Sequence, residues 1–376
     1  MSSRIVPIVA LGLLMLVLVV GIFLLIRAAA PAPGRTGGPV ATASPGTAAK
    51  SWYEVRFTTP KIPDDKSSHS GGLDARLVQL MDTATKTLDV AVYDFDLMNV
   101  AQAMARVSQR GVRVRMVTDT DTVKNERNEE IQAALKVVRD ARIPIVEDSR
   151  SAIMHHKFTI VDDEWVQTGS WNYTDGDTYR LNNNQVILRS REVAASFTNE
   201  FEKMFSQRKF GPNKPKDGPS RQHTVEGTRV DTYFCAPDGC ASRLIDEINK
   251  AQKSVHFLAF SFTHDGIGRA VIAKKQAGLR IGGVFEKTGS ETRFSELANL
   301  QREGAEVYQD GSPYVMHHKV FILDEKVTAF GSFNFSDGAD KDNDENLVIV
   351  DDPALAASFK AEYDRLVALA KNPPAR

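Results

Sequence analysis

The sequence contains the string MHHK twice, and these two strings hold four of the chain's eight histidines. In an extended strand the side chains at positions i and i+2 point to the same face, so His155 and Lys157 face one way while His156 faces the other. The second copy repeats this spacing from His317 to Lys319. Each copy therefore presents an imidazole and an ammonium group to one point in space.

A Gly-Ser-x-Asn stretch follows each of these strings after a short apolar strand. A hairpin turn returns the first copy to Ser170 and Asn172, and it returns the second copy to Ser332 and Asn334. Residues two apart in the returning strand lie on the same side. We therefore expect a hydroxyl and an amide to lie beside each histidine and lysine.

These groups suit the cleavage of a phosphodiester. The charged transition state needs fixed donors at its equatorial oxygens, which two lysines and two asparagines supply without a metal or another cofactor. One histidine can attack phosphorus and form a covalent phosphohistidine, while the other protonates the departing alkoxide. Neither copy contains both roles, so the chemistry requires the two copies to face each other and share one site.

The elements that position these residues belong to an internal duplication. Residues 81–96 align with 248–263, 110–119 with 277–286, and 153–176 with 315–338. Strands alternating with helices predict an α/β class with mixed sheets flanked by helices. Predicted helices cover 97–109, 127–141, 191–206 and 353–370. Predicted strands cover 88–93, 112–117, 157–161 and 186–188, with counterparts at 255–260, 279–285, 320–323 and 347–350.

The strings HHKFTIVD…GSWN and HHKVFILD…GSFN match the H-x-K-x4-D and G-S-x-N signature, and through them the chain resembles the phospholipase D superfamily. The resemblance covers nearly everything after residue 50. It implies two tandem repeats with their sheets side by side, one metal-independent site on a pseudo-twofold axis, and a ping-pong mechanism through phosphohistidine. It also implies that Asp162 and Asp324 are structural residues that brace the strand turn.

The two copies differ in one informative place. Members of this family carry a carboxylate shortly after G-S-x-N that hydrogen-bonds the histidine of the opposite half. Glu345 fits that description, whereas its counterpart in the first copy is Asn183. A carboxylate behind an imidazole fixes its tautomer and stabilises positive charge on it. If Glu345 orients His155, then His155 is the nucleophile and His317 is the general acid, with Asn183 positioning His317 through its carbonyl.

Other polar residues have simpler structural explanations. Strand alternation turns His156 and His318 away from the pocket. A metal site built from His155, His156, Asp162 and Asp163 is disfavoured, because the adjacent lysine would repel a cation. Four acidic residues are expected to serve as helix caps and turns; they are Asp94, Asp96, Asp119 and Asp121. Four aromatic residues beside the motif asparagines are expected to pack in the core; they are Trp171, Tyr173, Phe333 and Phe335.

The first 50 residues differ in composition from the rest. Residues 5–26 form an uncharged apolar run of 22 residues, so residues 1–27 are predicted to be a transmembrane or signal-anchor helix, with a cleaved secretory signal as the alternative. Residues 28–50 are predicted to be a Pro/Gly/Ala-rich linker. The first repeat is then 51–212 and the second 213–376. A local disulfide between Cys235 and Cys240 is sterically plausible and favours export, with two free thiols as the alternative.

Three substrate classes remain open. Residues 50–376 carry 44 basic and 48 acidic side chains, without the basic surplus typical of nucleic-acid binding. Hydrolysis of a phospholipid headgroup is therefore the leading hypothesis, and a monomer suffices because the duplicated chain completes its own pocket. An endonuclease acting on DNA or RNA is the alternative, and a cardiolipin synthase-like phosphatidyltransferase is third. Specificity is expected in the loops 120–130, 147–154, 176–183, 288–294 and 309–316.

Overall fold

The computed structural model describes residues 50–374. The predicted membrane helix at 1–27 and most of the predicted linker at 28–50 lie outside these residues. Within residues 50–374, no helix combines the length and the apolar character needed to cross a bilayer.

The first repeat forms a seven-stranded sheet with the strand order β1-β7-β6-β5-β2-β3-β4. Strands β2, β3 and β4 run parallel to one another, and the remaining neighbours are antiparallel. The strands are β1 Tyr53–Phe57, β2 Thr87–Val92, β3 Arg113–Thr118, β4 Ile145–Glu147, β5 Lys157–Val161, β6 Trp165–Gly169 and β7 Asn184–Arg189. The helices are α1 Leu73–Asp82, α2 Met98–Gln109, α3 Thr120–Lys124, α4 Glu129–Asp140, α5 Asp175–Tyr179 and α6 Arg191–Phe205.

The second repeat has the same topology with one extra edge strand, in the order β12-β11-β10-β13-β14-β15-β9-β8. Its strands are β8 Gln222–Val225, β9 Thr228–Phe234, β10 Ser254–Ala259, β11 Arg280–Phe285, β12 Glu306–Gln309, β13 Lys319–Leu323, β14 Val327–Gly331 and β15 Asn346–Asp351. Its helices are α7 Cys240–Lys250, α8 Asp265–Gln276, α9 Lys287–Ser290, α10 Leu297–Arg302, α11 Asp337–Lys341 and α12 Pro353–Lys371. The predicted α/β class with two mixed sheets in tandem repeats is confirmed.

The two sheets share a hydrophobic core. Phe158 and Phe197 of the first repeat belong to the same buried cluster as Phe330 and Phe359 of the second, and each repeat has a further cluster on its outer side. Helix α6 packs on its own sheet and on β9 of the second repeat, while α12 packs on its own sheet and on β1 of the first. The last helix of each repeat therefore holds the two sheets together.

In each repeat, the H-x-K strand and the strand that returns to Gly-Ser-x-Asn form a hairpin, which turns through two residues in the left-handed region. In the first repeat these are Asp162 and Asp163, both with φ of 53°. The Asp162 carboxylate accepts hydrogen bonds from the backbone N–H groups of residues 85–87, at 2.7 to 3.1 Å. Asp324 accepts bonds from residues 252–254 in the same way. Each aspartate therefore holds its hairpin turn against the start of the neighbouring strand, which is β2 in the first repeat and β10 in the second.

The glycine of each Gly-Ser-x-Asn stretch ends the returning strand where a side chain would not fit. Gly169 has φ of 144°, and a Cβ there would lie 2.3 Å from the carbonyl oxygen of Asn184. Gly331 has φ of 149° and meets Asn346 in the same way. Glycine is therefore required for the chain to leave the sheet towards the asparagine.

The cysteines Cys235 and Cys240 lie between β9 and the start of α7. They are joined in a disulfide, with a Cα–Cα distance of 5.1 Å. The bond closes the short turn that connects β9 to α7.

We predict that Asp324→Ala lowers the free energy of unfolding by about 1–2 kcal/mol, because three backbone N–H groups lose their acceptor. Urea unfolding measures the change. Glu325→Ala is the matched control, since residue 325 has a similar φ (55° against 54°) and its carboxylate lies at the surface, 3.7 Å from Arg280. Equal losses in the two variants would show that the backbone conformation, and not the bracing, sets the stability of the turn.

Candidate active site

Both catalytic hairpins present a histidine just before a strand and a lysine at its first position. His155 and His317 are 5% and 6% exposed, so each ring opens to solvent only through a narrow gap. Lys157 and Lys319 are buried, and the Nζ of each donates to the backbone carbonyl of its own histidine at 2.8 Å. The extended H-x-K backbone thus puts both side chains on one face, and the buried carbonyl orients the ammonium.

The first histidine contacts a carboxylate from the other repeat. The Nδ1 of His155 lies 2.8 Å from both oxygens of Glu345, which is fully buried. Burial raises the pKa of Glu345 to about 7. With Nδ1 bonded to the carboxylate, Nε2 is the ring atom left to face a substrate.

The second histidine contacts an amide and a carboxylate of the first repeat. The Nδ1 of His317 lies 3.0 Å from Oδ1 of Asn183 and 3.3 Å from Oδ1 of Asp177. Burial alone would raise the pKa of Asp177, but its hydrogen bonds with His317 and with the backbone N–H of Asn172 keep that pKa below its usual value. Asp177 lies five residues after the motif asparagine and was not predicted from the sequence.

The two lysines act electrostatically on both histidines, which indicates that these groups share one pocket. Burial and the charges of Lys157 and Lys319 lower the pKa of His155 well below its usual value. Burial and Lys319 lower the pKa of His317 to about 3, although Asp177 opposes the shift. Burial lowers the pKa of Lys157 to about 8. Without a bound anion the site therefore favours neutral imidazoles. A bound phosphate would offset the charges of the two lysines and would favour both charged lysines and a protonated imidazole.

The serines and asparagines of the two motifs serve different purposes. Ser170 donates to Oδ1 of Asn183 at 2.8 Å, and Ser332 accepts from the backbone N–H of residue 346 at 3.0 Å. Both serines therefore tie the hairpin to the next strand. Among residues 50–374, the buried side-chain oxygens of Asn172 and Asn334 have no hydrogen-bond donor, so the unused capacity at these two atoms is that of an acceptor. The side-chain amide N–H of Asn172 donates to Asp177 at 3.2 Å.

The second histidine of each MHHK string faces away from the pocket. His156 contacts Glu200 at 3.1 Å and Asn346 of the other repeat at 3.2 Å. His318 contacts Glu362 at 3.1 Å and Asn184 of the other repeat at 2.9 Å. Both rings are fully buried, so they are part of the interface between the repeats.

Three of the buried groups around His156 have the spacing of metal ligands. His156, Glu200 and Asp344 place their ligand atoms within 4.8 Å of one another. However, the ammonium of Lys214 bonds both Glu200 and Asp344 from between them. The lysine thus supplies the positive charge that the two carboxylates require. The alternative metal set of His155, His156, Asp162 and Asp163 is not brought together, because Asp162 and Asp163 lie at the far end of the hairpin.

The acidic residues at the strand ends make local hydrogen bonds. Asp119 accepts from the N–H groups of Asp121 and Met154, and so holds the segment just before His155. Asp96 accepts from the N–H of residue 175 at the start of α5. Asp94 bonds the N–H of residue 95. The aromatic residues beside the motif asparagines are all buried in the outer clusters; they are Trp171, Tyr173, Phe333 and Phe335.

A groove opens beside His317 on the second repeat. The ring of Phe260 lies 4.8 Å from the ring of His317, and Lys319 lies 4.7 Å from the same phenyl ring. From there the groove extends over about 710 Å³, along Val315 and the loop that carries Phe294. Phe294 is 63% exposed, and the guanidinium of Arg293 lies 4.7 Å from the centre of its ring. The groove therefore adjoins His317 through the ring of Phe260, and its lining combines aromatic and polar side chains.

Comparisons with known proteins agree with this geometry. The family described as cardiolipin synthase, PLD-like domain, matches residues 77–205 and 244–367. A phospholipase D of Rickettsia felis is 31% identical over 159 residues, which is 42% of this chain and 80% of that protein. A mitochondrial cardiolipin hydrolase of Chlamydomonas reinhardtii is 31% identical over 154 residues, 41% of this chain and 66% of that protein. Phosphatidylserine synthase of Haemophilus influenzae shares the fold, with a TM-score of 0.60 at 14% identity and coverage of 84% and 86%.

We predict that Lys214→Met lowers the free energy of unfolding by about 3–5 kcal/mol, because two buried carboxylates lose their counter-ion. Burial alone would raise the pKa of Glu200, yet Lys214 and His156 hold it at about 2, below its ordinary 4.5. The stabilisation is thus present above pH 4.5 and is lost as the pH falls towards 2.

Urea unfolding across this pH range measures the effect. The deficit of Lys214→Met should be largest at neutral pH and should shrink in acid, where the carboxylates become protonated. Lys216→Met is the control, since residue 216 is exposed in the same connecting segment. A deficit that does not change with pH would contradict the role given to Lys214.

Proposed function

Since the chain belongs to the phospholipase D superfamily and is a phosphodiesterase of that family, we propose that it hydrolyses a phospholipid headgroup ester through a phosphohistidine on His155. The observation that carries the proposal is the pair of crossed contacts, His155 with Glu345 and His317 with the Asn183 and Asp177 pair. Each histidine depends on the other repeat for its orientation, as a shared site requires.

The proposed reaction has two steps that balance. In the first, Nε2 of His155 attacks phosphorus, the bond to the headgroup oxygen breaks, and His317 gives that oxygen a proton. In the second, His317 takes a proton from water, the resulting hydroxide attacks phosphorus, and the bond to His155 breaks. Lys157 and Lys319, with the amides of Asn172 and Asn334, stabilise the equatorial oxygens in both steps. No cofactor takes part.

Glu345 supports the choice of His155 as nucleophile. Its contact with Nδ1 keeps the proton on that atom, so the lone pair on Nε2 is free. As the imidazole becomes positively charged during attack, a nearby carboxylate stabilises it, and no cation needs to enter the pocket.

The groove beside His317 favours a lipid over a nucleic acid. The headgroup leaves on the His317 side, where the aromatic rings of Phe260 and Phe294 line a groove, and aromatic faces attract the quaternary ammonium of a choline headgroup. Nucleic-acid binding relies instead on a surplus of basic side chains, and residues 50–376 have more acidic than basic ones. Two of the relatives are named phospholipase D and mitochondrial cardiolipin hydrolase, and both names refer to a phospholipid substrate.

We also propose that the catalytic repeats are tethered to a membrane on its extracytoplasmic side. The apolar run at 5–26 is long enough to span a bilayer, and the segment at 28–50 would give the site reach to the lipid surface. The Cys235–Cys240 disulfide supports an oxidising compartment.

A phosphatidyltransferase is the second candidate. The family that matches both repeats is described as cardiolipin synthase, in which an alcohol takes the place of water in the second step. The same residues would perform this reaction. Product analysis with glycerol or phosphatidylglycerol present distinguishes transfer from hydrolysis.

We predict that His317→Asn traps a phosphoenzyme on His155, because the first step can proceed with an activated leaving group while the second lacks its base. Incubation with a phospholipid bearing ³²P and a nitrophenol headgroup, followed by peptide mapping under alkaline conditions, locates the label. His155→Asn is the control and should stay unlabelled. Label on His317 in that control would reject the assignment of the nucleophile.

We predict that Phe294→Ala lowers kcat/KM for phosphatidylcholine vesicles about 10-fold, because the bound substrate would no longer cover this exposed aromatic ring. Met98→Ala is the control, since Met98 is also exposed but lies on the first repeat outside the groove. The same assays with single- and double-stranded DNA and RNA test the endonuclease alternative. Turnover of nucleic acid without turnover of lipid would overturn the proposed substrate.

A further inference from the structure

The two repeats differ at two equivalent positions, and in the first repeat the side chains at both positions contact the histidine of the other repeat. Position 177 of the first repeat corresponds to 339 of the second, and position 183 corresponds to 345. The first repeat has Asp177 and Asn183, whereas the second has Ala339 and Glu345. One carboxylate is thus present per repeat, but it comes from a different element in each.

Asp177 is built into the site as an acceptor for several donors. Its Oδ1 accepts from the backbone N–H and the side-chain amide of Asn172, at 3.1 and 3.2 Å, and from the amide of Asn183 at 3.1 Å. The same oxygen lies 3.3 Å from Nδ1 of His317. Asp177 therefore connects the motif asparagine, the residue at the glutamate position and the histidine of the other repeat.

A purely local role in capping helix α5 does not explain this carboxylate. Thr174 caps α5 and exchanges hydrogen bonds with Asp177. In the second repeat Ser336 caps α11 in the same place, and that helix forms with Ala339 at the equivalent position. The helix turn thus needs the hydroxyl cap, and it forms without the carboxylate.

On the basis of this geometry and resting on the proposed function, we infer that Asp177 is the positioning residue that holds His317 as the general acid. Asn183 supplies the direct contact at 3.0 Å, and its own amide is fixed by Asp177, so the pair replaces the single glutamate that serves His155. The negative charge then stabilises the protonated His317 that gives its proton to the leaving oxygen. The two histidines consequently have different partners, which matches their different roles.

The test compares two leaving groups on the same phosphatidyl unit. A choline oxygen needs a proton as it leaves, whereas p-nitrophenolate leaves without one. We expect Asp177→Asn to lower kcat/KM for phosphatidylcholine about 100-fold, because general acid catalysis typically contributes a factor of that order. For phosphatidyl-p-nitrophenol we expect kcat/KM to fall less than about 3-fold, since this ratio reports steps up to formation of the phosphoenzyme.

Two further variants complete the experiment. Asp177→Ala/Asn183→Glu gives the first repeat the arrangement of the second and should recover at least about 10-fold of the loss on phosphatidylcholine. Asp175→Asn is the control, because Asp175 lies on the same helix but its carboxylate contacts His69 and not His317. This variant should leave the ratio of kcat/KM between the two substrates unchanged. Thermal unfolding of each variant checks that the fold is retained.

The outcomes separate the inference from the proposed function. Equal losses on the two substrates in Asp177→Asn would overturn the positioning role, as would an exchange variant no better than Asp177→Ala alone. If His155→Asn retains the turnover of both substrates, the proposed function fails, and the positioning role of Asp177, which rests on it, fails as well.

Discussion

The site depends on a backbone clamp between the two repeats. The N–H of His155 donates to the carbonyl of Asp344, and the N–H of His317 donates to the carbonyl of Asn182, at 3.0 and 2.9 Å. The carbonyls of residues 153 and 315 accept the return bonds from residues 344 and 182. One clamp thus places Met154, which precedes His155, beside Asp344, which precedes Glu345. The other places Met316 beside Asn182 in the same way. The main-chain hydrogen bonds therefore place residue 345 beside residue 155, whatever side chains these positions carry.

Buried charge behind the clamp makes this arrangement costly to open. Asp344 accepts Lys214, Arg150 and the N–H of residue 211, while its counterpart Asn182 accepts Arg365. These groups would lose their partners if the repeats separated, and unpaired buried charges are strongly unfavourable. The pseudo-symmetry is approximate here as well, because the carboxylate and cation of one side correspond to an amide and a cation on the other.

Much of this arrangement could be predicted from the sequence, because the duplication and the H-x-K spacing are local patterns. Helices α2, α4, α6 and α12 lie within two residues of their predicted bounds. Strands β1 and β9 were not predicted, since each pairs with the last strand of its repeat, more than 100 residues away in the sequence. Asp177 was missed for a related reason: the family pattern directs attention to position 183, and only the folded α5 turn brings residue 177 to the same imidazole.

Duplication explains why the two halves could diverge. In a site made from two identical halves, either histidine can attack, and each must then serve as nucleophile and as acid. A carboxylate at position 177 in place of 183 keeps a negative charge near His317, and it also accepts hydrogen bonds from three amide donors. Glu345, in contrast, directs both carboxylate oxygens at His155. The carboxylate with many donors stays ionised, and the one with few has a pKa raised to about 7 by burial. In the proposed mechanism, the ionised Glu345 carboxylate accepts from Nδ1 of His155 and leaves Nε2 free to attack, while Asp177 stabilises the protonated His317. The difference between the halves therefore favours one direction of the chemistry.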